Sequence, residues 1–299
     1  SKIIKRGYYA LNRIDFKVKI LLYFLIVSIL PFAISWTLIY NTYDRKMQSD
    51  FKNFNYMFIQ NQFSKIDQFF GHREIELKSI AQAFSFLDQQ HTDLNAFLRD
   101  QNSINQYFRN LSIIMPDNKV YTNDLSHRKP DINYTRLHSY VNAKKAQELV
   151  WLEPYTDPIS DIVCIGISIP LLDNQNRESG VLVGNISLKT FEDLLVNAKY
   201  MHYAEMFFIN PSGYVKFHSG DGHCETVNIN DEGFILNPVA EEVLNLNEGC
   251  REFSYLGRDY TCSFSAINSN GWIILSLMDT YELEGTFSTM NQSTNSITI

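Results

Sequence analysis

Residues 20–40 read ILLYFLIVSILPFAISWTLIY, 21 positions without a charge. A helix rises about 1.5 Å per residue and the hydrocarbon core of a bilayer takes roughly 20 residues to cross. The stretch therefore predicts one transmembrane helix over 20–40. Trp36 and Tyr40 stand at its far end, where amphipathic rings favour the headgroup layer. Pro31 is tolerated inside a membrane helix. The other uses of such a run are a cleaved signal peptide, which is shorter and ends in a small-residue cleavage site, and a buried core helix. Ahead of it, residues 1–19 carry Lys2, Lys5, Arg6, Arg13, Lys17 and Lys19 against Asp15 alone, a net +5. The positive-inside rule makes this a cytoplasmic basic segment. Residues 41–299 then lie outside the cytoplasm, anchored to the inner membrane by a single pass.

The whole chain of 299 residues has a formal charge of -7, which leaves -12 to the part after residue 19. An acidic body lacks the basic footprint that a phosphate backbone requires, so nucleic acid is not an expected partner. With 45% hydrophobic and 14% aromatic residues, the outer part can bury the cores of about two domains. Cys164, Cys224, Cys250 and Cys262 form no CxxC pair and no zinc spacing. A disulfide is permitted outside the cytoplasm, with Cys224–Cys250 the first to test; four buried thiols are the alternative. Sequons stand at Asn110, Asn133, Asn185 and Asn291, and matter only in a host that glycosylates.

From Asn41 to about Leu87 the apolar residues keep helical spacing: Met47, Phe51, Phe54 and Phe58, then Leu77, Ile80, Phe84 and Leu87. Gly71 marks a point where this long helix could break or kink. A shorter amphipathic segment spans 93–108. The period then changes to two. LSIIMPDNKVYTN (111–123) reads as strand, turn, strand, and MFFINPSGYVKFH (206–218) repeats it at an offset of 95. Each copy is followed by three further strands, at 149–155, 161–172 and 180–188 in the first and at 250–256, 259–267 and 271–278 in the second. A repeat of that length fits two tandem antiparallel-sheet modules of one kind, an α+β chain. Beyond Glu284 there is no further charge. Residues 284–299 read as an exit helix toward a second transmembrane segment of a longer chain.

EPYTDP (153–158), GVLVGNISL followed by KTFEDLL (180–195), NPSGYVKFHS (210–219) and GWIILSLMDTYEL (271–283) stand in the order and spacing of the double Cache (dCache) sensor regions of bacterial transmembrane receptors. The resemblance covers residues 41–283. It implies a long signalling helix and connector over 41–110, a membrane-distal PAS-like Cache module over 111–200 and a membrane-proximal one over 201–283. It also implies a small ligand in the distal module, a weak homodimer through the long helix, and an output domain such as a histidine kinase, chemoreceptor domain or diguanylate cyclase.

Carried over residue by residue, the resemblance points to five ligand-binding positions. Arg136 stands where the amino-acid-binding branch has the arginine of an R-x-W-Y motif, whose planar guanidinium clamps a carboxylate; His138 and Ser139 replace its Trp and Tyr. Asp157 matches an acid that holds an ammonium group, with Tyr155 beside it. Asn185 occupies the position of a second family acid and is neutral. Trp151 is a candidate wall residue. As a surface ion-pair partner, a turn cap and a core ring, Arg136, Asp157 and Trp151 have ordinary structural readings too. An asparagine at 185 removes one of the two carboxylates that the resemblance implies around a ligand amine, which argues against ordinary α-amino acids and makes a neutral, anionic or less charged ligand an equal expectation.

His218, Asp221, His223 and Cys224 lie close in sequence but read as a loop, so no metal and no cofactor are expected. No nucleophile elbow, P-loop or zinc-protease motif occurs. The function these features imply is small-ligand sensing outside the cytoplasm. The alternatives are a signal-anchored enzyme, or a structural module that docks a periplasmic binding protein.

Overall fold

The computed structural model describes residues 16–281 apart from 88–91, 105–106, 125–130, 174, 176, 199–203, 221 and 224–226. The basic segment and the expected exit helix thus fall outside it, except for residues 16–19. The chain divides into two units, residues 1–57 and 58–299.

Helix α1 runs Phe16–Ser85. Its apolar part, Phe16–Tyr40, has a mean hydropathy of 2.3 and none of it is buried. That exposure is the reverse of a soluble core helix, and with the length it makes this segment apolar and long enough to span a membrane. The side chains of Phe51, Phe54 and Phe58 lie outside the described residues.

In the second unit α1 continues through Gly71 as one helix, without the break that a glycine there allows. Ile66 and Phe70 before the glycine and Leu77 and Ile80 after it are all buried. Packing on both sides offsets the roughly 1 kcal/mol that a helical glycine costs. A second helix, α2 (Leu94–Ile104), is opened by Asp93, whose Oδ1 accepts from the N–H groups of Asn95 and Ala96.

The first sheet contains β1 (Asn110–Ile114), β2 (Val120–Thr122), β3 (Val150–Thr156), β4 (Val163–Leu172) and β5 (Glu178–Ser187), in the order β2-β1-β5-β4-β3. The second contains β6 (Glu205–Ile209), β7 (Val215–His218), the two-residue β8 (Gly222–His223), β9 (Glu248–Tyr255), β10 (Arg258–Ala266) and β11 (Ile273–Asp279), in the order β8-β7-β6-β11-β10-β9. Apart from β8 the two orders coincide, and all pairings are antiparallel. The repeat extends to the turns. Asn118 (φ 66°) and Gly213 (φ 86°) both take the left-handed conformation, one of the few that Asn tolerates almost as Gly does. They occupy the same place in the two copies.

One face of the first sheet presents Leu111, Ile113, Ile167, Leu171, Leu182 and Ile186 to Leu77, Ile80 and Phe84 of α1 and to Leu94 and Leu98 of α2. The opposite face carries Ile114, Val181 and Val183 and is covered by Tyr134, Tyr140, Ala143 and Ile159. The second sheet has its own core around Ile209, Phe264, Leu275 and Val243. The cover of the first sheet includes a helix α3 (His138–Ala146), and a helix α4 (Leu188–Ala198) leaves β5 toward the second sheet.

Phe70 of α1 joins these parts. Its ring lies 4.7 Å from Trp151 of β3, 5.8 Å from Phe191 of α4, 6.2 Å from Phe208 of β6 and 6.5 Å from Trp272 beside β11. Cys164, Cys250 and Cys262 are free thiols; Cys224, the other half of the expected Cys224–Cys250 bridge, lies outside the described residues. The Asn110 and Asn185 sequons are fully buried and out of reach of modification in the folded chain.

Candidate functional site

The site begins with an interruption in an edge strand. Pro154 has no N–H to give to a ladder, and the pairing of β3 with β4 shifts between Leu152, opposite Gly166, and Tyr155, opposite Cys164. Glu153 and Pro154 therefore bulge against the single residue Ile165. The extra residue brings Leu152 and Tyr155, three apart, onto the same face. Both cross over Gly166: a Cβ there would stand 2.7 Å from Leu152 Cδ1 and 2.9 Å from Tyr155 Cε1. Only glycine leaves them room.

The cover over this face is a 3-10 turn, Tyr134–Arg136, running into α3. Asn118 pins its start, donating from Nδ2 to Ile132 O (3.2 Å) and accepting from Tyr134 N (2.8 Å). Between cover and β3 opens a cavity of about 570 Å³, within the size range of small-molecule sites. Leu137, His138, Ser139 and Asn142 line it from the cover; residues 151–156 and Pro158 line it from β3 and the turn beyond.

Of the five positions expected from sequence, Trp151 and Tyr155 line this cavity, while Arg136, Asp157 and Asn185 do not. Trp151 Nε1 donates to Glu74 Oε1 of α1 at 2.9 Å, and Tyr155 Oη donates to Asn185 Oδ1 at 2.7 Å. Burial, first of all, and then the nearby Asp157 push the Tyr155 hydroxyl far above the usual phenol range. Asn185 is fully buried and its Nδ2 has no partner among the described residues. Arg136 is exposed at the end of the 3-10 turn.

Asp157 closes the turn beyond β3 instead of facing the cavity. Its Oδ2 accepts from Ser160 N (2.9 Å), Ser160 Oγ (2.7 Å) and Asn110 Nδ2 (3.1 Å). Asn110 Oδ1 in turn accepts from Thr122 Oγ1 at 2.8 Å. All four residues are buried, so the network satisfies polar groups that would otherwise be stranded. Cys164, close by, has its thiol pushed up to about 12, first by burial and then by Asp157; such a thiol is not a nucleophile.

Glu153 carries no signal in the sequence, and the structure gives it two roles. It lines the cavity, and it reaches the second sheet's hairpin. Its Oε1 accepts from Asn210 Nδ2 at 2.6 Å, and its Oε2 pairs with Lys216 Nζ at 2.7 Å. Burial acts to raise its pKa, but the bonds from Lys216 and Asn210 outweigh it and hold the carboxyl below its ordinary range. His218 lies elsewhere, paired with Glu205 at 3.3 Å and stacked on Phe207 at 4.5 Å. Asp221, Cys224 and the side chain of His223 lie outside the described residues.

The fold recurs in solved ligand-binding domains. One from a Campylobacter jejuni chemoreceptor, in complex with 4-methylisoleucine, aligns with a TM-score of 0.62 at 13% identity, over 79% of this chain and 93% of that one. The domain of the Pseudomonas aeruginosa chemoreceptor PctB with L-Arg gives 0.58 at 18%, over 77% and 95%. That of the Pseudomonas fluorescens chemoreceptor CtaA with L-isoleucine gives 0.58 at 14%, over 81% and 98%. At these identities the likeness is one of fold. Comparison with curated protein sequences gives no significant match. The family model described as Cache domain (dCache_1) matches residues 38–287, most of the length. The chain belongs to the double Cache family.

Proposed function

We propose that this chain is the extracytoplasmic small-ligand sensing region of a bacterial transmembrane signal transducer, and that the ligand sits on the first sheet, in the cavity between β3 and α3. The observation that carries this reading is the placement of the cavity wall. The strand that lines it is bonded through Trp151 to α1 and through Glu153 to the second sheet. A molecule bound against that strand has a physical route to both elements, and a differential contact of this kind is what shifting a conformational equilibrium requires. Tyr155 would touch the ligand, and Trp151, at the cavity's edge, would tie the strand to α1. Asn185 and Asp157 would hold the wall and the turn from behind, and Arg136 would stand outside the cavity.

Solved relatives hold small amino acids and their analogues, and a small polar organic molecule is the ligand class proposed here. The N-terminus would be cytoplasmic, residues 41–299 outside, and the receptor a weak homodimer. Single cysteines at Ile4 and Asn230 in a cysteine-free background test the orientation, with an impermeant reagent expected to label the second alone.

A thermal-shift screen of small polar compounds against the full chain tests the function. A ligand present at 100 times its Kd stabilises the native state by about 2.7 kcal/mol. At least one compound should raise the melting temperature, and Tyr155→Ala should remove that shift. A screen in which no compound stabilises the protein, while a periplasmic binding protein docks to it, would transfer the function to the surface.

A further inference from the structure

Resting on the sensing reading above, the wall of the cavity also indicates the charge of its ligand. We propose that the site selects a positively charged small molecule without a carboxylate, a primary amine or a quaternary ammonium, and that Glu153 is the side chain that reads the charge.

Among the described residues lining the cavity, Glu153 is the single carboxylate, and none carries a permanent positive charge. The guanidinium of Arg136 is not on the wall. The carboxylate of Asp157 is engaged behind it by Asn110 and Ser160. A ligand carboxylate entering this space gives up water, finds no cation to replace it and meets Glu153. A ligand cation meets the opposite.

Lys216 does not cancel this preference at the wall. Its side chain is 12% exposed against 51% for Glu153, so the acid is the more accessible of the two. Each carboxylate oxygen has about two acceptor directions. Holding Asn210 on one and Lys216 on the other leaves Glu153 able to accept from an ammonium, or to sit beside a quaternary centre.

The Tyr155 side of the wall fits the same chemistry, because a tyrosine ring attracts cations at its face. That ring is held in place by Asn185, while Trp151 turns its own ring to Phe70 and Glu74 of α1. A cation at Glu153 also shares the carboxylate with Lys216 and Asn210. Its arrival therefore changes the bond that ties the first sheet to the second.

Calorimetric titration of the full chain in lipid nanodiscs, with choline, n-butylamine, L-alanine and succinate at one ionic strength, tests the assignment. Choline or butylamine should bind at least tenfold more tightly than alanine or succinate, and Glu153→Gln should weaken that binding tenfold or more. Lys216→Met, which keeps the carboxylate and removes its competing partner, should tighten it, a change that can be measured even where Glu153→Gln does not fold. Tighter binding of succinate or alanine, or a cation affinity unchanged in Glu153→Gln, would overturn the proposal. A neutral compound as the sole stabiliser in the wider thermal screen would also overturn it, with the sensing reading left standing. A protein stabilised by no compound at all would take both down.

Discussion

Asn268 donates to Asp67 twice across 201 residues of chain, from its backbone N–H to Oδ1 at 2.7 Å and from Nδ2 to Oδ2 at 2.8 Å. Asp67 lies on α1, and Asn268 on the turn between β10 and β11. One heptad further along the same helix, Glu74 accepts from Trp151 of the first sheet. Two carboxylates on one helix thus hold one sheet each, and Phe70 packs between them. A shift of α1 along its axis would have to break both.

Asp67→Ala should remove both bonds to Asn268. The site is exposed, so water replaces part of what is lost, and a destabilisation of about 1–2 kcal/mol is expected. Hydrogen exchange is the sharper measurement. Amides at 267–271 should exchange faster in the variant while those of β1 and β5 do not. Unchanged protection at 267–271 would mean that the turn is held by Trp272 and its neighbours alone.

Phe70→Ala should be far more costly. The ring is 1% exposed and touches four other aromatic rings from both sheets and α4. Truncating such a ring costs about 3–5 kcal/mol. Ile75 on the same helix is 63% exposed, and Ile75→Ala should stay within about 0.5 kcal/mol. Denaturant unfolding of the two variants side by side checks this, and equal effects would contradict the arrangement around Phe70.

Much of this fold is legible locally. The apolar run, the helical spacing of Leu77, Ile80 and Phe84, and the paired turns at Pro116–Asn118 and Pro211–Gly213 each lie within a few residues of sequence. What the sequence hides is what crosses the chain. Asn110 meets Asp157 over 47 residues and Asn210 meets Glu153 over 57. Neither pair carries a local signal. The bulge at Glu153–Pro154 also defeats a strict alternation, since it puts Leu152 and Tyr155 on one face. A proline inside an apparent strand is the available clue. Motif position points to Arg136 and Asp157, but it does not say whether a side chain faces a cavity or a neighbouring turn.

Acid should open the bond between the sheets. Glu153 is held below its ordinary value of 4.5, with burial pushing it up and the bonds from Lys216 and Asn210 pulling it further down. A carboxyl whose folded-state pKa is depressed contributes stability above its unfolded pKa and loses it as the pH falls through the folded one. The contribution is therefore complete at neutral pH, begins to be lost as the pH falls through the ordinary carboxyl range and is gone only below the depressed folded value. Backbone exchange in β7, corrected for its intrinsic pH dependence, should rise in that window in the wild type. In Glu153→Gln it should already be raised at pH 7 and should not change further. A wild-type profile that stays at the level of Glu153→Gln at every pH would count against the bond.

Asp157→Ala separates a structural carboxylate from a ligand-contacting one. In the unliganded protein Asp157 accepts three hydrogen bonds from Asn110 and Ser160, and all three residues are buried. Removing the carboxylate leaves the Asn110 amide and the Ser160 N–H without acceptors, and each stranded donor costs about 1–3 kcal/mol. The variant should lose about 3–5 kcal/mol of stability with no ligand present, and protection of the 157–162 turn should fall with it. Asp157→Asn retains one oxygen as acceptor and should recover more than half of the loss. A residue whose main task was to hold a ligand would behave otherwise: truncation would leave the unliganded protein as stable as the wild type and abolish only the ligand-induced shift. Denaturant unfolding of wild type, Asp157→Ala and Asp157→Asn without ligand decides between them, and wild-type stability in Asp157→Ala would put the carboxylate back among the ligand contacts.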